Sequence, residues 1–145
     1  MTLLRLLTGG GTAAYFMFGL PSQDAKKEAT ESQTKHAKGP PIYVALDPPF
    51  VVNFEAEQLV RFLQVTVQVM SRDAVTVDLI KANDPVVRND LLLLLGNQDY
   101  ATISSREGKE KLRLASLDTV RKVVTGAGGR AELVEAVYFT SFVMQ

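Results

Sequence analysis

Hydrophobic and polar positions divide the chain into three unequal stretches. From Leu3 to Leu20 every residue except Arg5 is apolar, small or hydroxylic. From Pro21 to Pro41 there is no Val, Ile, Leu, Phe, Met or Tyr. Patterned runs begin at Ile42. Ile42–Leu46 and Phe50–Phe54 are short β-prone runs, separated by Asp47, Pro48 and Pro49. Proline cannot donate to a ladder, so this region is predicted at a sheet edge or bend. Next, Leu63, Val65, Val67 and Val69 alternate with Gln64, Thr66 and Gln68. Strict period-2 alternation predicts a strand buried on one side.

Helical patterns follow. Asp73 can cap a helix that runs through Ala82, and Asn83-Asp84-Pro85 stops it. A second helix is predicted from there, with Asp84 as N-cap and Pro85 at its first position. It contains five consecutive leucines, Leu91 to Leu95, and ends at Gly96-Asn97. Leucines at five successive positions cover more than one face, which predicts contact with more than one neighbour. A third helix is predicted from a capping box, Ser104-Ser-Arg-Glu107, to Gly126. Its apolar stripe is Leu114, Leu117, Val120 and Val124, and Glu107/Lys111 and Asp118/Lys122 form i,i+4 pairs. A last strand is predicted from Glu132 to Met144. It is apolar on both faces, which fits either a central strand covered on both sides or an exposed interaction face. The order β-β-β-α-α-α-β, with strands grouped before helices, indicates the α+β class.

The first stretch matches a membrane anchor over residues 1–20. Leu3–Leu20 is 18 residues, about 27 Å as a helix, close to the hydrocarbon thickness of a bilayer. Leu6 and Leu7 supply apolar surface, Phe16 and Phe18 near the far end suit an interfacial belt, Gly10 and Ala14 have small-xxx-small spacing, and Arg5 can snorkel. A cleaved signal peptide is the rival reading, but no A-x-A-type site follows the apolar run. Residues 21–41 cannot bury enough apolar surface to offset ordering entropy, so they read as a flexible polar linker. Residues 42–145 form the one folded domain. The positive-inside rule leaves orientation open, because Arg5 lies on one side and four lysines mixed with three acids lie on the other.

Composition narrows the chemistry. Net charge is zero over 145 residues, the sum of +2 before Ile42 and −2 after it. This argues against nucleic-acid binding by bulk electrostatics. With no Cys there is no disulfide, thiol nucleophile or thiolate metal site. The single His36 falls in the linker, which removes a His-dependent hydrolase. The carboxylate pairs Glu55/Glu57, Asp73/Asp78, Asp84/Asp90 and Glu132/Glu135 are accounted for as turn, cap or strand-start residues, and none stands at metal-ligand spacing with a His. Gly126-Ala-Gly-Gly129 follows a helix and lacks the Gly-Lys-Ser/Thr of a phosphate loop, so it reads as a turn. Arg106, Lys109, Lys111, Arg113, Arg121 and Lys122 are interleaved with acids, as on a solvated helix face. No catalytic, cofactor or metal residue is assigned.

Five motifs in order carry a resemblance. They are Pro49, Phe50, Val52, Asn53 and Phe54; Arg61-Phe-Leu63; Asp84-Pro85-Val-Val-Arg88-Asn89; Ser105-Arg-Glu-Gly108-Lys-Glu-Lys111-Leu112; and the closing Val137-Tyr-Phe139-Thr140-Ser-Phe142-Val-Met-Gln145. Together they resemble the flagellar basal-body-associated FliL family over Ile42–Gln145, and the apolar start and polar linker fit its layout. The resemblance implies a single-pass protein of the bacterial inner membrane with a periplasmic domain similar to the stomatin/SPFH fold. It implies partners in the flagellar stator and basal-body ring, and homo-oligomeric rings that support torque, swimming and swarming, with no enzymatic activity, cofactor or nucleic acid. The alternative is a generic membrane-anchored stomatin-like scaffold unconnected with motility. A ring needs a self-complementary or head-to-tail surface, which the last strand and the leucine helix could supply.

Overall fold

The computed structural model describes residues 39–145 except 57 and 58. The anchor residues Leu6, Leu7, Gly10, Ala14, Phe16 and Phe18, the linker His36 and Glu57 lie outside the described residues. Among those described, no helix is long and apolar enough to cross a membrane.

The chain is α+β, as the grouping of strands and helices predicts. Three antiparallel strands, β1 (Ile42–Ala56), β2 (Leu59–Ser71) and β3 (Val134–Met144), form one sheet in the order β1-β2-β3. Between β2 and β3 come α1 (Ala74–Ala82), α2 (Asp84–Gly96), α3 (Tyr100–Ser104), α4 (Arg106–Gly126) and a 3-10 turn, Ala131–Leu133. The helices pack on one face of the sheet. The alternation in β2 explains why: Leu63, Val65, Val67 and Val69 are fully buried beneath them, joined by Val44, Leu46, Phe50 and Phe54 of β1 and Val134 and Val137 of β3. From above, Val77, Ile80, Val87, Leu91, Leu95, Leu112, Val120 and Val124 complete the core.

Several expectations are corrected. Two strands, not three, precede the helices. The runs at Ile42 and Phe50 belong to one strand, which keeps its pairing with β2 across a register shift between Leu46 and Phe50. The prolines lie within that shift, where ladder hydrogen bonds are already interrupted, so their missing N–H does not end the strand. Last, β3 is not central: β2 is, and β3 lies at the edge. It starts at Val134, because the chain first makes the 3-10 turn at Ala131–Leu133.

Helix starts shift by one residue. Asn83, not Asp84, caps α2; it is simultaneously the C-cap of α1, its N–H bonded to Leu79 O and its own C=O accepting from Val86 and Val87. Asp84 and Pro85 thus open the helix, where a missing N–H is harmless. For α4 the cap is Ser105, whose Oγ accepts from Gly108 N at 2.9 Å. Ser104 is occupied as the last residue of α3, where its Oγ donates to Tyr100 O. The reciprocal Glu107 half of the predicted capping box therefore has no partner position. Asp73 caps α1 as predicted, accepting from Thr76 N and Thr76 Oγ1. Its carboxyl is held below the ordinary value, chiefly by the hydroxyl and then the backbone N–H of Thr76.

The leucine run resolves by periodicity. Leu91 and Leu95 are buried, whereas Leu92 and Leu93 face outward. On α4, Leu117, Val120 and Val124 are buried but Leu114 is half exposed. The ion pair on that helix is Glu110–Arg113, with Nε to Oε2 at 2.9 Å, rather than either predicted i,i+4 pair. After Gly126 the chain turns through Gly128 at φ +86°, a left-handed conformation that favours glycine.

Candidate functional site

The motif residues gather in four places. At the bend of β1, Phe50 is buried and the Arg88 guanidinium lies 4.4 Å over its ring. Arg88 also donates to Pro48 O from both terminal nitrogens, one at 2.9 Å, and to Leu46 O at 3.4 Å. Its role follows from β1 being an edge: these carbonyls have no strand beyond them, and a long planar donor from α2 satisfies them. Pro49 is half-buried beside them, and Pro85 is exposed one turn before Arg88.

Phe54 and Arg61 form the second group. They face each other across the β1–β2 ladder and share Tyr100 of α3. The Arg61 guanidinium is 4.7 Å from the Tyr100 ring and donates to its hydroxyl at 3.3 Å, while Phe54 meets the same ring edge-on at 6.2 Å. Val52 is half-buried on the helix side, and Asn53 is exposed on the other face.

The third group is where α3 meets α4. Gly108 is buried, and a Cβ there would stand 1.8 Å from Thr102 O and 2.7 Å from Thr102 C. Only a residue without a side chain lets the two helices approach this closely. Leu112 is buried one turn on, and Lys111 is exposed.

The fourth group lines a groove between the free edge of β3 and the start of α4. Phe139 and Phe142 pack with ring centroids 5.7 Å apart, and Lys109 Nζ lies 5.2 Å over the Phe142 ring. With Ser104, Arg106, Glu110, Arg113 and Tyr138 they enclose about 890 Å³. Arg113 donates to Glu110 and to Val137 O at 3.1 Å. That pairing raises the Arg113 pKa and lowers that of Glu110. Arg121 donates to Val134 O at 3.0 Å. Thr140 is exposed at a register irregularity of β3, its Oγ1 3.4 Å from Thr66 O.

Tyr100, Arg113 and Arg121 also belong to these groups, although no sequence motif marks them. Arg113 had a local signal in Glu110 three residues before it, but the carbonyls it and Arg121 cap are distant in sequence. Among the described residues no three His, Asp or Glu side chains are grouped to hold a metal ion.

The face of the sheet turned away from the helices carries a further feature. Val51, Phe62, Tyr138 and Val143 are exposed there, and Tyr43 is 56% exposed. Tyr43 of β1 and Tyr138 of β3 approach to 6.2 Å across β2. Among the described residues no second layer covers this face of the sheet, and an exposed apolar patch of this kind marks an interaction surface.

Residues 43–145 match the family described as "Flagellar basal body-associated protein FliL". A "Flagellar protein FliL" of Aquifex aeolicus (strain VF5) is 28% identical over 104 residues, covering 72% of this chain and 62% of the relative. That of Escherichia coli (strain K12) is 31% identical over 105 residues, covering 72% and 66%. The chain thus spans slightly under two thirds of these relatives' length.

Proposed function

Because the chain belongs to the FliL family of flagellar basal body-associated proteins, we propose that it is a motor accessory protein acting by assembly. In this reading residues 1–20 anchor it in the inner membrane and residues 21–41 are the tether. Residues 42–145 are a stomatin/SPFH-like periplasmic domain. Copies of that domain associate into a ring around the stator, next to the basal-body ring, and support torque, swimming and swarming.

The observation that carries an assembly role is the uncovered sheet face. Tyr43, Val51, Phe62, Tyr138 and Val143 present apolar area to solvent while an intact core lies on the opposite side. Folding does not need these side chains, so their apolar character is explained by a partner. Asn53, Gln64, Thr66 and Gln68 lie among them, giving the mixed character of a surface that is wet before it docks.

Deletion of the chain should shrink swimming and swarming zones in soft agar while filaments still assemble, and stator subunits should co-purify with the full chain. Normal motility under all loads would sink the proposal. Recovery with lipid or other proteins but never with stator subunits would favour a generic membrane scaffold.

A further inference from the structure

We propose that the groove between β3 and α4 receives an extended, acidic segment of another protein as an added fourth strand. The free edges of the sheet are unequal. On β1 the edge is interrupted near its middle by Pro48 and Pro49, which have no N–H, and by Arg88, whose guanidinium occupies Leu46 O and Pro48 O. On β3 the first half is closed in the same way, by Arg121 on Val134 O and Arg113 on Val137 O. The second half is open. Gln145 exchanges both backbone hydrogen bonds with Phe62. By the two-residue alternation of an antiparallel ladder, the N–H and C=O groups of Phe142 and Met144 therefore point away from β2. Counting two residues on from Val137 places Phe139 outward as well. From Phe139 to Met144 this edge lies opposite Val67 to Leu63, with one bulged residue at Thr140; it is about 13 Å long, room for about five residues.

The walls define what those residues should be. The groove contains Arg106, Lys109 and Arg113 against a single carboxylate, Glu110. Glu110 is held by Arg113, and among the described residues neither Arg106 nor Lys109 has a carboxylate within ion-pair distance. An added strand would turn alternate side chains toward α4 and the rest toward the open sheet face. The first set would meet Arg106 and Lys109, which favours Asp and Glu. The second would adjoin Tyr138 and Val143, which favours apolar residues. Main-chain hydrogen bonds would supply affinity and this alternation specificity. A second copy of the domain is the poorer occupant: its β1 edge is interrupted by the prolines and Arg88, and pairing β3 with β3 would set Arg106 and Lys109 of the two copies against each other.

The test uses the full ¹⁵N-labelled chain in detergent micelles and a blocked peptide, Ser-Glu-Val-Asp-Phe-Glu-Val-Ser. Saturable shifts concentrated at the amides of Phe139, Phe142 and Met144 are expected. Hydrogen exchange at Phe142 and Met144 should slow at least tenfold at saturation. Replacing the acids by Lys in the peptide, or introducing R106E with K109E in the protein, should weaken binding at least tenfold. R106E alone, at an exposed residue, should weaken it in the same direction if the double variant does not fold. Four results would overturn the proposal: no binding at millimolar peptide, equal binding of the Lys peptide, shifts centred on Tyr43, Val51 and Phe62, or protection of the edge amides that grows with protein concentration alone. The groove does not depend on the flagellar role, since the peptide result and the motility result can fail separately.

Discussion

Replacing Gly108 by alanine tests the packing of the helical layer most sharply, because propensity and packing predict opposite signs. In an open helix, Gly→Ala stabilises by about 1 kcal/mol. Here the new methyl would stand 1.8 Å from Thr102 O, 2.7 Å from Thr102 C and 3.0 Å from Ser105 Oγ. The nearest obstacles are backbone atoms, so no side chain can swing aside; α3 must retreat from α4 by more than 1 Å. Overpacking of this kind costs roughly 1–3 kcal/mol. The retreat also strains the Ser105 cap, worth about 1 kcal/mol. Set against the propensity gain, Gly108→Ala should destabilise by about 2 kcal/mol, lowering Tm by roughly 8–16 °C for a domain of this size. Urea unfolding of the full chain, followed by circular dichroism, should show a lower midpoint at unchanged slope. Gly126→Ala is the matched control: nothing lies within 4 Å of its Cβ, so it should be neutral or stabilising by up to about 1 kcal/mol. A Gly108→Ala midpoint equal to or above the parent's would refute the close approach of α3 and α4.

Other consequences follow from the same contacts. Leu91→Ala, at a fully buried site, should cost about 2–5 kcal/mol, whereas Leu93→Ala, 66% exposed, should stay within about 0.5 kcal/mol; the two urea midpoints decide. Arg88→Lys keeps the charge but loses the planar fork over Phe50 and its bonds to Leu46 O and Pro48 O, so a loss of about 1–3 kcal/mol is expected, with faster amide exchange along β1. Asp73→Ala removes the α1 cap, at about 1 kcal/mol. Because the folded-state pKa of Asp73 is depressed, this stabilisation is complete above the unfolded value near pH 4 and lost as pH falls through the folded value. The gap between parent and variant should therefore be full at pH 6 and close in acid; a gap independent of pH would contradict the cap.

Features with a short period were legible in the sequence. The alternation from Leu63 to Val69 marked β2 and its buried face, though not its central place in the sheet, and Asp73 marked the start of α1. Errors arose where two local signals competed for one residue. Asn83 serves two helices, and Ser104 is consumed by α3, so each following cap moved by a single position. The five residues of α3 carry too little periodicity to announce themselves, and only Ile103 among them is buried. The proline pair read as a break because pattern alone cannot show that β2 continues opposite both halves of β1. At the site, motif residues such as Gly108 and Arg88 were visible, but their reasons were not. A glycine facing a carbonyl six residues earlier, and arginines reaching carbonyls 13 to 42 residues away, are products of tertiary packing.

The proposed role rests on the sheet face that carries Tyr43, Val51, Phe62, Tyr138 and Val143. Introducing V51E with F62E into the full chain, in a strain lacking the native copy, tests it directly. Both side chains are exposed, so thermal stability and cellular level should match the parent. Soft-agar swimming should fall to the deletion level and stator co-purification should be lost, while filaments still assemble. A stable variant that swims and co-purifies like the parent would contradict it.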